Sequence, residues 1–470
     1  MNLADVMRVI GVGRTGSDAL AFDGRFRLAF VLFGGMVALQ SSPTLDATKF
    51  AYLVGTVLCL VGALAAVWSA RRTPEVRLRA PWLAASAALA ALIAMSFLVA
   101  RGEGTSLTDW VRDIAAYALF AVVPVFALDG QASASRKLLV GMLVLAGLLG
   151  GLAWAVEWLS RRQILELPFE RLVFPSGQLP GMLYLFAMAT ALTAGRRVAA
   201  WAVLAGVILG LFLLTGTRSS LLLLIGPLVM AALAGRARIR SSLRAIVSHG
   251  VVAVALVLAF QLALALPALL GPGRTAEEPG SSVGPGGSGL TEILGPNVVG
   301  DRFGSLPVVL GNPASDPSFK ERISQYQAAW ALFVSSPIVG VGPGHSIDWV
   351  DVSGYPRTGF TADTPLVMPA KFGLLGILVL LGAVVAYGFT VRTALRRDPR
   401  SGITLTLVGY GVLTMVGLPL GFPIEDKGAS LALMLLLALA FAESAAHRPS
   451  GAASVDDLNP RAIEEPRPSQ

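Results

Sequence analysis

Cysteine is almost absent from this chain of 470 residues. The one thiol, Cys59, lies in the apolar run AYLVGTVLCLVGALAAVW, so no disulfide and no thiolate zinc site can be assembled, and Cys59 reads as a small buried hydrophobe. Charge is scarce as well. Only 14% of residues are charged, against 54% hydrophobic and a mean hydropathy of +0.69. Such a balance excludes the two or three soluble domains that the length alone would suggest, and it points to an integral membrane protein. The formal net charge of +8 does not indicate nucleic acid as a partner. The basic residues sit in short clusters between apolar runs, where orientation in a bilayer accounts for them. A cleavable signal pattern is also lacking: the first apolar run begins after a polar segment of about 25 residues, so the first span is expected to stay in the membrane.

What is present is a series of long apolar runs. A bilayer core needs about 20 apolar residues per helix, with every backbone group paired internally. Twelve runs meet that description, near residues 26–42, 50–70, 81–100, 112–128, 138–157, 179–195, 198–216, 219–235, 245–268, 372–391, 402–420 and 428–443. The expected fold is therefore all-α and polytopic, with about 12 transmembrane helices. With alternating spans, Arg71, Arg72, Arg77 and Arg79, then Arg136 and Lys137, Arg196 and Arg197, Arg236 to Arg244, and Arg392 to Arg400 all fall on one side. The positive-inside rule makes that side the cytoplasm and both termini cytoplasmic. The chain then divides into helices one to nine (1–269), an extracytoplasmic loop (270–371), helices ten to twelve (372–443) and a Pro/Ser-rich charged tail (444–470) expected to be disordered.

The loop of roughly a hundred residues is far longer than a connection needs. Its first part, GPGRTAEEPGSSVGPGGSG, has the composition of a flexible linker. In SFKERISQYQAAWALFVSSP, Ile323, Tyr326, Ala329, Trp330 and Phe333 recur at helical spacing, which predicts an amphipathic helix on the membrane surface, ended by Pro337. Next comes GVGPGHSIDWV, whose Gly340, Gly342 and Gly344 permit tight turns and close backbone approach.

Several residues have the chemistry of a site. Arg218, in TGTRSS at an outer helix end, is either a snorkelling anchor or a guanidinium clamp for phosphate. Arg322 is either ion-paired with its neighbour Glu321 or available to an anion, and Arg161, Arg162 and Arg171 add positive charge on the same side. His345, with Asp348 three residues on, is a candidate general base or a turn residue with local hydrogen bonds; His249 lies in or near a span and His447 in the tail. The stretch TADTPLVMPAKFGLLG places Asp363 and Lys371 at the expected membrane surface. GVGRTG, residues 11–16, fits a dinucleotide pattern but has no strand before it and no room for a βαβ unit, so it reads as a flexible start.

ERISQYQAAWALF followed by SSPIVGVGPG resembles the arginine, tryptophan and GvGpG segment of the O-antigen ligase and O-antigen polymerase superfamily. LLTGTRSSLLLL resembles the Ser/Thr-rich, arginine-bearing helix end found there, and Leu366, Gly373, Leu374 and Gly376 match the element that follows that family's His-Asn pair. The matches cover about residues 213–380. The resemblance implies a GT-C-like membrane enzyme that moves a glycan from a polyprenyl diphosphate carrier to a glycan or lipid acceptor at the outer face of a bacterial inner membrane, with neither nucleotide sugar nor essential metal as cofactor. It also implies that Arg218 and Arg322 bind the diphosphate; Lys371 is read either as a further charge neutralising the diphosphate or as the mark of a helix end. One departure is plain: Ala362 stands at the family's histidine position and Asp363 at that of its asparagine. Three readings follow: Asp363 is the base, His345 reaches the site from the preceding turn, or transfer is lost and carrier binding kept. A secondary transporter or flippase is the rival class, since twelve spans is a common number there. No repeat relates the two halves, however, and the polar residues gather at the outer face rather than at mid-membrane.

Overall fold

In the computed structural model, residues 80–133, 136–161, 178–193, 198–214, 222–234, 239–270, 311–312, 317–351, 353–418 and 427–446 are described. They are predominantly helical. In chain order they form α1 (Ala80–Gly102), α2 (Leu107–Ser133), α3 (Arg136–Arg161), α4 (Gln178–Thr193), α5 (Val198–Leu214), α6 (Ile225–Ala234) and α7 (Ile239–Leu270). Then follow α8 (Pro317–Ser335), β1 (Ile347–Val350), β2 (Pro356–Gly359), α9 (Val367–Arg397), α10 (Gly402–Gly417) and α11 (Lys427–Ala446). Among the described residues, each of the ten apolar runs expected after residue 80 overlaps a helix. The two earlier runs, Cys59, the Gly/Pro-rich linker, GVGRTG and the tail from residue 447 on lie outside the described residues, as do Arg162, Arg171 and Arg218, whereas residues 444–446 of the expected tail continue α11.

Two of these helices, α1 and α9, are long and apolar enough to cross a membrane. Their apolar windows are only 22% and 11% buried. A core helix of a soluble protein would be mostly enclosed, whereas α9 turns Leu378, Leu381 and Val385 outward. Shorter apolar stretches, of 10–17 residues, include α10 and residues 199–213 of α5.

The largest core surrounds α4, in which nearly every residue from Leu179 to Leu192 is buried. A helix apolar on all sides has no solvent face and packs centrally. Around it lie residues of α2, α3, α5, α6, α7, α10 and α11. Several polar groups within this core are satisfied locally: Tyr184 Oη and His249 Nε2 lie 3.3 Å apart, His249 Nδ1 lies 3.2 Å from the Ala245 carbonyl, and Trp82 Nε1 donates to Thr390 Oγ1 at 2.8 Å. His249 is thus a hydrogen-bonded core residue.

A second, smaller core joins α1, α2 and the start of α9 through Leu89, Leu92, Tyr117, Met368 and Phe372. Ser106 caps α2: its hydroxyl accepts from Asp109 N at 3.1 Å and donates to Asp109 Oδ2 at 2.6 Å.

The all-α expectation needs one correction. The stretch that begins in GVGPGHSIDWV and runs on to Gly359, for which no strand is expected, contains the two antiparallel strands β1 and β2, in register Ile347 to Gly359 through Val350 to Pro356. Alternating Ile347, Asp348, Trp349 and Val350 suits a half-covered strand. Asp351 builds the turn by accepting from Ser353 N, Tyr355 N and Arg357 Nε at 2.9, 3.0 and 2.8 Å. The backbone bond at Tyr355 and the Arg357 guanidinium hold its carboxyl below the usual range.

Candidate functional site

The GVGPG turn is built into the helix that follows it. Within α9 the helical conformation breaks at Gly373 (φ 61°, ψ −155°), which leaves carbonyls before the break and amides after it without helical partners. The preceding segment supplies them. Val341 N donates to Ala370 O and Gly342 N to Lys371 O, both at 3.0 Å, while Leu374 N donates to Pro337 O at 2.8 Å and Leu375 N to Ile338 O at 3.4 Å. Two glycines make this close approach possible. Gly340 (φ 71°) faces the Lys371 carbonyl so closely that a β-carbon would overlap it, and a β-carbon on Gly373 would overlap Ile338 O.

Under the turn lies a buried ion pair. Lys371 Nζ donates to Asp113 Oδ1 at 2.7 Å, with both side chains 1% exposed. Asp113 Oδ2 accepts from Gly344 N, also at 2.7 Å, and the ammonium lies 5.4 Å from the Tyr117 ring centroid. The same ring meets Phe372 edge-on at 4.9 Å. One carboxylate of α2 thereby holds both the helix break and the glycine turn. Lys371, a candidate either to neutralise the diphosphate or to mark the helix end, is placed away from the surface and engaged with a carboxylate.

Above this layer, α8 packs on the hairpin. Glu321 Oε1 accepts from Trp349 Nε1 at 3.2 Å and Ser324 Oγ from Val350 N at 2.9 Å. Gln325, buried on the same face, accepts from the backbone amide of Asp363 at 2.7 Å. Ile347, Ala362 and Val367 form a small apolar cluster with Ala328, Leu332 and Trp349 packed against it. Ala362 therefore points into a core, and its neighbour Asp363 faces outward.

Asp363 is open to solvent on one side, but the protein packed around its carboxyl removes enough water to push it above the ordinary carboxylate range. The nearby Arg322 guanidinium opposes that rise and Glu321 adds to it. Solvent on the open side limits its size. Among the described residues no ion pair joins Arg322 to Glu321; Glu321 is held instead by Trp349. Arg322 thus stands near Asp363, and among the described residues no ion pair engages its guanidinium.

His345 follows Gly344 and is half-buried. Asp348 accepts from Thr358 Oγ1 across the hairpin at 2.8 Å, and among the described residues no hydrogen bond joins it to His345. The expected helical surface of α8 is also divided: Ala329 is buried toward the hairpin, whereas Ile323 and Trp330 are exposed.

Three residues escaped the sequence reading. Asp113 is a lone acid inside an apolar run, a signal in itself because uncompensated charge in such a run is costly. Gln325 lacked any signal beyond being polar on the inner face of α8. Arg112 places its guanidinium 5.4 Å from the Phe360 ring centroid, three residues before Asp363, and so brings a second cation to the same segment.

No family model and no curated protein sequence matches the chain.

Proposed function

We propose that the chain is a glycosyltransferase of the O-antigen ligase and polymerase type, spanning the bacterial inner membrane about twelve times with both termini cytoplasmic. It moves a glycan from a polyprenyl diphosphate carrier to an acceptor hydroxyl during surface polysaccharide assembly. The observation that carries this reading is the juxtaposition of Asp363 and Arg322: a carboxyl raised by burial near a guanidinium that forms no ion pair among the described residues, on a face whose backbone Gln325 fixes.

In the proposed reaction the acceptor hydroxyl gives its proton to Asp363 as its oxygen attacks the anomeric carbon. The bond from that carbon to the diphosphate oxygen breaks, and its electron pair leaves with the polyprenyl diphosphate, inverting the anomeric centre. Arg322, with Arg218 from the segment that follows α5 in the sequence, offsets the charge gathering on the leaving group. Such electrostatic stabilisation commonly supplies the largest share of a rate enhancement. Carrier binding without transfer is the second reading, favoured by Ala362, which can take no proton and faces a small core.

Transfer from a polyprenyl diphosphate donor by the purified protein in nanodiscs tests both. Turnover that disappears with Asp363→Asn and falls by about 10²-fold or more with Arg322→Ala supports transfer. Donor binding without turnover, weakened by Arg322→Ala, supports the second reading. Neither binding nor turnover sinks both.

A further inference from the structure

The outward surface of α8 is divided into three sectors. At about 100° per residue, Phe319, Ile323, Trp330 and Val334 fall within an arc of roughly 60°, and their exposures run from 41% at Phe319 to 57% at Val334. Gln325 and Ala329 lie on the sector turned toward the hairpin, where Ala328 and Leu332 pack against its core. Lys320 and Gln327 occupy a third, polar sector and are exposed. Four large apolar side chains form one exposed row, including a tryptophan whose ring lies 5.3 Å from that of Phe333, and among the described residues they stay about half exposed.

What covers them is indicated by the surface they continue. The row runs past Ile338, 64% exposed, to the outward side of α9 at Leu374, Leu378 and Val385, which are 49%, 63% and 68% exposed. The connection is rigid, because Leu374 N donates to Pro337 O and Leu375 N to Ile338 O. α9 is one of the two described helices long and apolar enough to cross a membrane, and these bonds tie the end of the α8 segment to the start of its outward apolar side. An apolar row with an aromatic belt residue, flanked by Lys320, suits the zone between headgroups and acyl chains.

We propose that this face of α8 is seated in the interfacial layer of the bilayer that α9 crosses, with lipid as its occupant. Arg322 lies at the seam between the lipid-facing and hairpin-facing sectors, so the seating holds its guanidinium at headgroup depth. An anion carried on a lipid then meets Arg322 without leaving the membrane. The proposal rests on α9 spanning a membrane and is independent of glycosyl transfer.

The test uses the full chain with Cys59→Ser, in nanodiscs of phosphatidylethanolamine and phosphatidylglycerol, carrying one spin label at a time at Ile323→Cys, Val334→Cys, Gln327→Cys or Leu378→Cys. Collision with dissolved oxygen is compared with collision with a water-soluble nickel chelate. The expected oxygen-to-nickel ratio at positions 323 and 334 approaches that at 378 and is several-fold above that at 327. Equal ratios at 323, 334 and 327 would overturn the seating by placing the whole helix in water. Low accessibility to both reagents at 323 and 334 would overturn it by showing that protein covers the row. A water-like ratio at 378 would remove the bilayer from α9 and the proposal with it, whatever the transfer assay shows.

Discussion

Asp113 and Lys371, 258 positions apart in the chain, meet at 2.7 Å with both side chains enclosed. The lysine sits two residues before the break in α9, and the other oxygen of the aspartate holds the amide of Gly344. A pair so placed connects the start of α2, the glycine turn and the helix break through one carboxylate. The desolvation of two buried charges largely cancels their attraction, but removing one partner strands the other.

The first prediction concerns that asymmetry. Lys371→Met leaves Asp113 charged and uncompensated and is expected to destabilise the protein by about 3–5 kcal/mol. Combining it with Asp113→Asn, which keeps an acceptor for Gly344 N, should recover much of the loss. Denaturation of nanodisc-embedded protein in a double-mutant cycle gives the coupling; additive losses would show that the pair contributes nothing beyond its parts.

Gly340→Ala and Gly373→Ala each force a β-carbon into backbone at a left-handed φ. Strain of that kind costs on the order of 1–3 kcal/mol before any clash is counted. Both variants should be among the least stable single substitutions, whereas Gly382→Ala on the same helix, with open space at its β-carbon, should be neutral or slightly stabilising. Melting temperatures of the three decide this.

Asp363 must be ionised to accept a proton, so under the proposed mechanism activity rises with pH through its raised pKa. Arg322→Gln removes the charge that lowers this value and should move the acidic limb of the kcat/KM profile to higher pH. Glu321→Gln removes a charge that raises it and should move the limb the other way. Stability follows the same linkage. A carboxyl raised in the folded state favours folding when protonated, so its contribution is present below the ordinary carboxylate pKa and is lost as pH rises through the raised folded value. Asp363→Asn should flatten that decline, and parallel stability curves for the variant and the parent would refute it.

Gln325→Met removes the acceptor of the Asp363 amide while keeping the volume under α8. A buried amide left without a partner costs about 1–3 kcal/mol. As a positioning residue, Gln325 should affect kcat more than KM for the donor, and Gln325→Glu, which restores an acceptor, should recover part of the loss. A change confined to stability would mean that Gln325 only holds the hairpin.

Much of the architecture was legible before any coordinates. Apolar runs such as 198–216 and 402–420 announce helices because a long stretch without charge has no stable alternative to pairing its own backbone, and α5 and α10 lie within them. The glycines of GVGPG were legible as points of close approach, since nothing else explains their spacing. The β-hairpin was missed because four-residue strands carry too little periodicity to stand out against turn residues.

The sequence by itself determined that the chain is apolar and helical and that its scarce charges gather near a few helix ends, because composition and periodicity are local properties that the solvent reads directly. Only the tertiary structure decided what those charges do. Lys371 was drawn away from the surface by an aspartate 258 residues earlier, Ala362 was turned into a core, and Asp363 was left beside Arg322. Which charge is neutralised and which stays available depends on the partner brought within a few ångströms, and that distance is fixed by packing between remote segments.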